Sequence, residues 1–458
     1  MSYPREIAAK TGPGFRCCST VRTGYISASD IPYTSMSVSQ LKSRKINIIL
    51  LAMVFAVAIF LRLPPHAFSP GAPLSFLAAI HPQPAYKKLG FDEELYRKYA
   101  NAISEEGLGA YPGVVQAYIE AQTERKGSIL PPVRFLFIFT GYVWHSLFGA
   151  ETLEGFHQIA SVFSMLTLVL ATMFVWRIRG MMWAVAIAAL MGFAPTQLHM
   201  SQHALVDGFL TFWATLVLWL FWENLQAPRN WRWLAGYIVA LALLVVTKEN
   251  SFFVWVALVA LLIGNRWLRF GTTTRELLIA TILGPLLGVV ILVLLAGGIG
   301  TLIQCYQLSV GKNFELHYAI LTGDGPWYRY LVDLMLVSPI VLLLAIGTVF
   351  RLNRTMKSEW FMSIFIAASY LIMCNLKYGM NLRYGNMWDL PLRFLAFSEI
   401  VWLASFAKRY QSAIIASAVG LLAVFEFRQY IILAVHYPLY ELITHDLLQA
   451  LKILKTPY

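Results

Sequence analysis

The chain has 458 residues, of which 58% are hydrophobic and only 13% charged, where soluble domains carry roughly a quarter charged residues. With a mean hydropathy of +0.62, this excludes a string of soluble domains and predicts an all-α polytopic membrane protein. The net charge of +12 comes from cations clustered between apolar runs, with no basic aromatic groove, so nucleic acid is excluded as a partner and orientation by the positive-inside effect is favoured.

Residues 1–45 are polar and rich in Gly, Pro, Ser and Thr, and are predicted to form a disordered cytoplasmic arm. The first apolar run starts only near Ile46, so no cleaved signal peptide is expected. A crossing helix needs about 20 apolar residues, with a lower limit near 17. Runs of that kind lie near 46–63, 153–176, 181–199, 208–225, 233–247, 250–265, 276–299, 330–350, 360–376, 389–407 and 411–427. These predict about eleven transmembrane helices in one domain, 46–430. Four cysteines, Cys17, Cys18, Cys305 and Cys374, show no CxxC spacing and imply no disulfide framework.

Cations then set the orientation. Lys42, Arg44 and Lys45 precede the first run; Arg177 and Arg179 follow the second; Arg229 and Arg232 follow the fourth. Arg266, Arg269 and Arg275 follow the sixth, Arg351, Arg354 and Lys357 the eighth, and Lys408 and Arg409 the tenth. Every second connection is basic and is expected in the cytoplasm. The N-terminus is then cytoplasmic, and 431–458 forms an extracytoplasmic tail. The apolar stretch "PPVRFLFIFTGYVWHSLFGA", Pro131 to Ala150, would invert all later loops if it crossed. It is read as an interfacial or re-entrant helix, which its aromatic content suits.

On this topology the unusual polar residues gather on the extracytoplasmic face. The long first loop, 63–152, carries Asp92 and Glu93 in "FDEELY". Asp92 and Tyr96 stand four apart, as do Glu93 and Arg97, which suits a short helix with acids in its first turn. These charges are either solvated loop or a carboxylate placed to act as a general base toward a hydroxyl. In "HMSQHALVDG", His199, His203 and Asp207 recur every fourth residue. On one helix face they would suit zinc or manganese; otherwise they mark an amphipathic turn. An acid at the mouth of a span is costly if buried and often functional. "TKEN" places Lys248 either in a polar turn or before an anionic lipid headgroup. Arg383, in "MNLRYGNMW", is either a snorkelling anchor or a phosphate-binding fork; Lys377 and Arg393 are weaker candidates of the same kind. Walker A, GxGxxG, GxSxG and HExxH motifs are missing. An enzyme of this kind would draw its activated substrate from the membrane.

In order, these motifs resemble the GT-C membrane glycosyltransferases of the glycosyltransferase family 39 type, which include protein O-mannosyltransferases and lipid A aminoarabinose transferases. The resemblance runs over 46–407 as a series of short motifs. An Asp-Glu pair followed by Tyr is matched by Asp92, Glu93 and Tyr96; a Pro-Pro pair opening an aromatic helix by Pro131, Pro132, Phe148 and Gly149. An acid at a span mouth is matched by Asp207, a Thr-Lys turn by Thr247 and Lys248, and a late Arg-Tyr before a Pro-bearing span by Arg383, Tyr384 and Pro391. Two positions depart from the pattern. Leu130 stands where lipid A transferases often carry Lys before the Pro-Pro pair, the nearest Lys being Lys126, and Glu249 stands where the family has Gly.

The resemblance implies a GT-C fold whose long first extracytoplasmic loop holds interfacial helices. It also implies a polyprenyl-phosphate-linked sugar as donor, a protein, lipid or glycan acceptor, and an inverting displacement. Catalytic candidates are then Asp92 as base, Glu93 next, and Asp207 to orient the acceptor or hold a metal. Donor-phosphate candidates are Arg383, Lys248, Lys126 and Tyr384. No cofactor is fixed, a divalent metal at His199, His203 and Asp207 being the one candidate. The expected location is the bacterial inner (plasma) membrane, among membrane lipids, with an extracytoplasmic active site. A secondary transporter or permease is the alternative, although no internal repeat of the transporter kind stands out.

Overall fold

The computed structural model describes residues 38–82, 90–316, 319, 323–377 and 379–437. Most of the expected arm 1–45, with Cys17 and Cys18, and most of the expected tail 431–458 lie outside the described residues. The chain divides into two units, Met1–Ile46 and Asn47–Tyr458. The first is described only as the opening turns of α1 (Val38–Arg62); all that follows concerns the second.

Every regular element among the described residues is helical. After α1 come α2 (Phe91–Glu106), α3 (Tyr111–Glu124), α4 (Phe135–Phe148), α5 (Thr152–Arg179), α6 (Met181–Gly192) and α7 (Pro195–Gln202). Then follow α8 (Val206–Gln226), α9 (Trp231–Thr247), α10 (Ser251–Leu268), α11 (Arg275–Leu295) and α12 (Ile299–Asn313). The last are α13 (Arg329–Val337), α14 (Pro339–Phe350), α15 (Lys357–Met373), α16 (Asp389–Ser405) and α17 (Gln411–Tyr430).

Six helices are long and apolar enough to cross a membrane, or seven if the bent pair α6–α7 is one span. The expected figure of about eleven is therefore not confirmed, and the reasons are local. The run 330–350 is cut at Ser338–Pro339 into α13 and α14, because a proline ring cannot continue the preceding helix. The run 181–199 bends by 57° between α6 and α7. Helices α9, α15 and α16 have 17 residues each, about 25 Å of rise against a hydrocarbon core of about 30 Å. Helix α4 has 14 residues, about 21 Å, and is too short to cross.

A broken helix inside an apolar body leaves carbonyls without donors. Two fully buried arginines meet that need at the end of α6. Arg62 donates to the carbonyls of Met191 (2.9 Å) and Gly192 (2.8 Å), and Arg393 to that of Leu190 (3.0 Å). Arg393 also pairs with Asp389 at 2.5 Å and Glu426 at 2.6 Å. Glu426 in turn accepts from the hydroxyl of Ser338 at 2.8 Å. Both breaks are thus joined through one Arg393–Glu426 pair. Gln197 of α7 extends this network, donating to Asp389 at 2.8 Å and to Asn386.

The far end of α5 carries cations that the sequence marks as orientation signals. Three of the basic-loop arginines, though partly exposed, reach buried carboxylates: Arg177 to Glu223 (2.9 Å), Arg179 to Glu359 (2.5 Å) and Arg351 to Glu399 (2.5 Å). These pairs clamp α5 to α8 and α15, and α14 to α16.

Helices α9 and α11 approach closely across two glycines spaced four apart, as small-residue interfaces in membranes do. A Cβ on Gly284 would lie 2.6 Å from the Leu241 Cβ, and one on Gly288 2.7 Å from the Ala242 carbonyl oxygen. Gly288→Val is expected to destabilise the fold by about 1–3 kcal/mol through overpacking. Thermal unfolding in detergent measures this; an unshifted midpoint would show that the two helices separate freely.

Candidate active site

The site begins with a clamped stretch of irregular chain, residues 127–134, that is buried throughout. Its backbone is held by side chains of α2 and α3. Tyr99 donates to the Leu130 carbonyl at 2.6 Å, and Tyr111 donates to that of Pro132. Gln122 donates to the Gly127 carbonyl (2.9 Å) and accepts from the Ile129 N–H (2.7 Å). The prolines remove two backbone donors, and the tyrosines and glutamine satisfy the buried groups that remain. Arg134 emerges from this fixed stretch at the head of α4.

Arg134 spans two segments. Its guanidinium makes a two-toothed contact with Glu249, at 2.6 and 3.3 Å, and donates to the Tyr96 hydroxyl at 2.8 Å. It therefore ties α2 to the turn that carries Lys248. Lys248 donates to Asp207 at 2.5 Å and lies 4.2 Å over the Tyr384 ring. Arg383 reaches Asp92 at 3.0 Å and Asp207 at 3.6 Å, and its guanidinium carbon stands 5.6 Å from the centre of the Tyr384 ring. Asp92, Asp207, Lys248, Arg383 and Tyr384 therefore form one network from four distant parts of the chain.

The electrostatics follow from burial and pairing. Burial pulls the Lys248 ammonium down to about 8, against the opposing pull of Asp207. Burial also disfavours charge on Arg383, but Asp92, Tyr384 and Asp207 outweigh it and hold the guanidinium above its ordinary range. Burial raises Glu249, whereas Arg134 and Lys248 outweigh that and hold its carboxyl below the usual range.

Glu93 sits beside this network but is occupied elsewhere. Its carboxylate accepts from the backbone N–H of Gly90 (2.9 Å) and of Ala204 (2.8 Å), and meets His157 at 3.1 Å and His203 at 3.7 Å. Burial pushes it upward, but the hydrogen bonds from His157 and His203 prevail and hold it well below the carboxylate range. The contacts cap α2 and moor it to α5 and to the α7–α8 connection. Glu94 makes surface pairs with Arg97 at 2.7 Å and Lys98 at 3.9 Å.

Two expected groupings need correction. His199, His203 and Asp207 do not share a helix face: α7 stops at Gln202, His203 is extended, and Asp207 opens α8. The imidazole centres lie 4.5 Å apart with the rings tilted by 54°, His203 faces Glu93, and Asp207 faces Lys248 and Arg383. Among the described residues no three His, Cys, Asp or Glu side chains converge as metal ligands. Lys126 is exposed on the turn after α3 and takes no part in the network's contacts; that turn packs on the end of α12, where Gly127 meets Glu315. Lys377 is exposed as well, and Arg393 serves the helix breaks. Sequence reasoning missed Arg134, Glu249 as its partner, and His157. A lone arginine within an aromatic run was the one available signal for the first.

This arrangement of apolar, bent and short helices is the GT-C fold of the membrane glycosyltransferases, the class whose motifs the sequence resembles. Residues 148–306 match the family model for dolichyl-phosphate-mannose-protein mannosyltransferase. The fold is similar to that of the archaeal oligosaccharyltransferase AglB from Archaeoglobus fulgidus, solved with an inhibitory peptide and a dolichol-phosphate. That match has a TM-score of 0.52 at 13% identity, covers 88% of this chain, and spans 56% of the oligosaccharyltransferase. ArnT from Cupriavidus metallidurans, solved in the apo state, matches with a TM-score of 0.46 at 16% identity, over 90% of this chain and 78% of that one. No curated protein matches the sequence.

Proposed function

We propose that the protein transfers a monosaccharide from a polyprenyl-phosphate donor to an acceptor hydroxyl at the extracytoplasmic face of a bacterial plasma membrane. The observation that carries this reading is the convergence of Asp92, Asp207, Lys248 and Arg383 on one another. The family-model match over 148–306 and the dolichol-phosphate in the similar AglB structure support a lipid-linked donor. The acceptor oxygen attacks the anomeric carbon and its proton passes to Asp92. The bond from that carbon to the phosphate oxygen breaks, and the phosphate leaves with the electron pair, inverting the sugar. Arg383 and Lys248 stabilise the charge that develops on the leaving phosphate. Asp207 holds these two cations in place, and Arg134 fixes the Lys248 turn against α2. The donor's apolar chain lies along the helices.

Incubating membranes that contain the protein with labelled polyprenyl-phosphate sugars tests this directly. Label should pass to an acceptor and polyprenyl phosphate should accumulate; absence of transfer from every such donor would refute the reading. The Lys248 ammonium adds a pH signature. Because its folded pKa is lowered to about 8, the cation is present below that pH and lost above it. Donor kcat/KM should therefore fall as pH rises through about 8, since that quantity reports the free enzyme's groups. Lys248→Arg should retain the charge and move the decline upward; an unmoved decline would assign it to another group.

A further inference from the structure

Every cation of the site is already matched by a carboxylate. Lys248 has Asp207, Arg134 has Glu249, and Arg383 has Asp92 and Asp207. A donor phosphate entering this site must compete with a carboxylate for its cation. The three pairs are unequal rivals. Lys248 and Asp207 are both within 3% of complete burial, so separating them would strand two buried charges. Arg134 grips Glu249 with two nitrogens and Tyr96 with a third. Asp92 holds Arg383 at 3.0 Å while 23% of its side chain stays exposed. Water can solvate Asp92 when it lets go, and Arg383 keeps Asp207 when it does.

Resting on the polyprenyl-phosphate reading above, we infer that the donor's phosphate displaces Asp92 from Arg383. The carboxylate that is to receive the acceptor's proton is then released only when a donor is in place. Asp92 stands in the first turn of α2, with its Oδ2 3.0 Å from the guanidinium. With phosphate on the guanidinium, the carboxylate is set loose within reach of the bond about to break. One arginine thus serves two partners in turn: the base before the donor binds, the leaving group afterwards. Proton transfer to Asp92 therefore waits on the donor. Asp92 acts as a competing anion in the ground state as well as a proton acceptor in the reaction.

Measuring binding of polyprenyl phosphate itself, to the full chain in lipid nanodiscs, tests this without any need for an acceptor. Asp92→Asn removes the competing charge and keeps the shape. It should tighten binding about tenfold where Arg383 is present, and by less than about twofold in an Arg383→Gln background, the shortfall being the coupling of the two residues. Equal tightening in both backgrounds would show simple charge repulsion and overturn the displacement. Unchanged binding would overturn it too, while leaving the donor site itself intact. If the wild-type protein binds no polyprenyl phosphate, the proposed function falls along with the displacement. A measurement on the wild type guards against variants that do not insert. Labelling of Asp92 by a water-soluble carbodiimide and an amine, read by peptide mass spectrometry, should rise when polyprenyl phosphate is added. Constant or reduced labelling counts against the release of Asp92.

Discussion

Asp92→Asn should lower the rate of sugar transfer by about 10²–10⁴-fold, the usual worth of a positioned general base. The amide keeps the size of the carboxyl and can still accept from Arg383, but it cannot take up the acceptor's proton. The ion pair from α2 to Arg383 loses its charge, but Asp92 is partly exposed and Tyr96 and Glu93 still hold the helix, so folding should persist. Glu93 is the more deeply anchored, through Gly90, Ala204 and His157. Glu93→Gln should therefore reduce thermal stability along with activity, whereas Asp92→Asn reduces activity alone. Parallel rate assays and unfolding curves separate the two. Normal transfer by Asp92→Asn would remove that residue from the chemistry.

Arg393→Ala should cost about 3–5 kcal/mol, because removing one member of a buried ion cluster leaves its partners uncompensated. Asp389 and Glu426 would lose their guanidinium and the Leu190 carbonyl its donor, all of them deeply buried. Arg393→Lys should recover only part of the loss, since an ammonium cannot present the planar fork that meets three acceptors. Neutralising the partners at the same time, with Asp389→Asn and Glu426→Gln, should soften the effect of Arg393→Ala. Yields of folded protein in detergent and thermal midpoints report these effects. A stable Arg393→Ala protein would mean that the two helix breaks stand without this cluster.

The membrane class and the individual polar positions were legible in the sequence because a charge stands out in a greasy chain. Asp92, Asp207, Lys248 and Arg383 could be picked singly for that reason. Which of them touch was not legible, since contacts such as Lys248 to Asp207 join segments that only the fold brings together. The span count is not confirmed, partly because hydropathy does not sense a break such as those at Gly192–Ala194 and at Pro339. The metal grouping failed because periodicity assumes an unbroken helix, and this one stops before His203. Arg177, Arg179 and Arg351 count as loop cations in any tally of charge, yet each is bound to a buried glutamate supplied by another helix. Arg134 was hidden by its surroundings: between the prolines and a run of aromatics, it reads as part of an apolar helix.

The stitching of the helix breaks also bears on how the chain is made. Arg62 lies at the end of the first helix, Arg393 on α16 and Glu426 on α17. During synthesis Arg62 is made well before the Met191 and Gly192 carbonyls that it holds, and Arg393 is made 33 residues before Glu426. Both arginines stand near helix ends, Arg62 as the last residue of α1 and Arg393 as the fifth of α16, where a long side chain can reach the interface while it waits for its partners. The break after α6 can therefore be stitched by Arg62 as soon as α6 is in place, whereas the Arg393–Glu426 link to the Ser338 break closes only when α17 arrives.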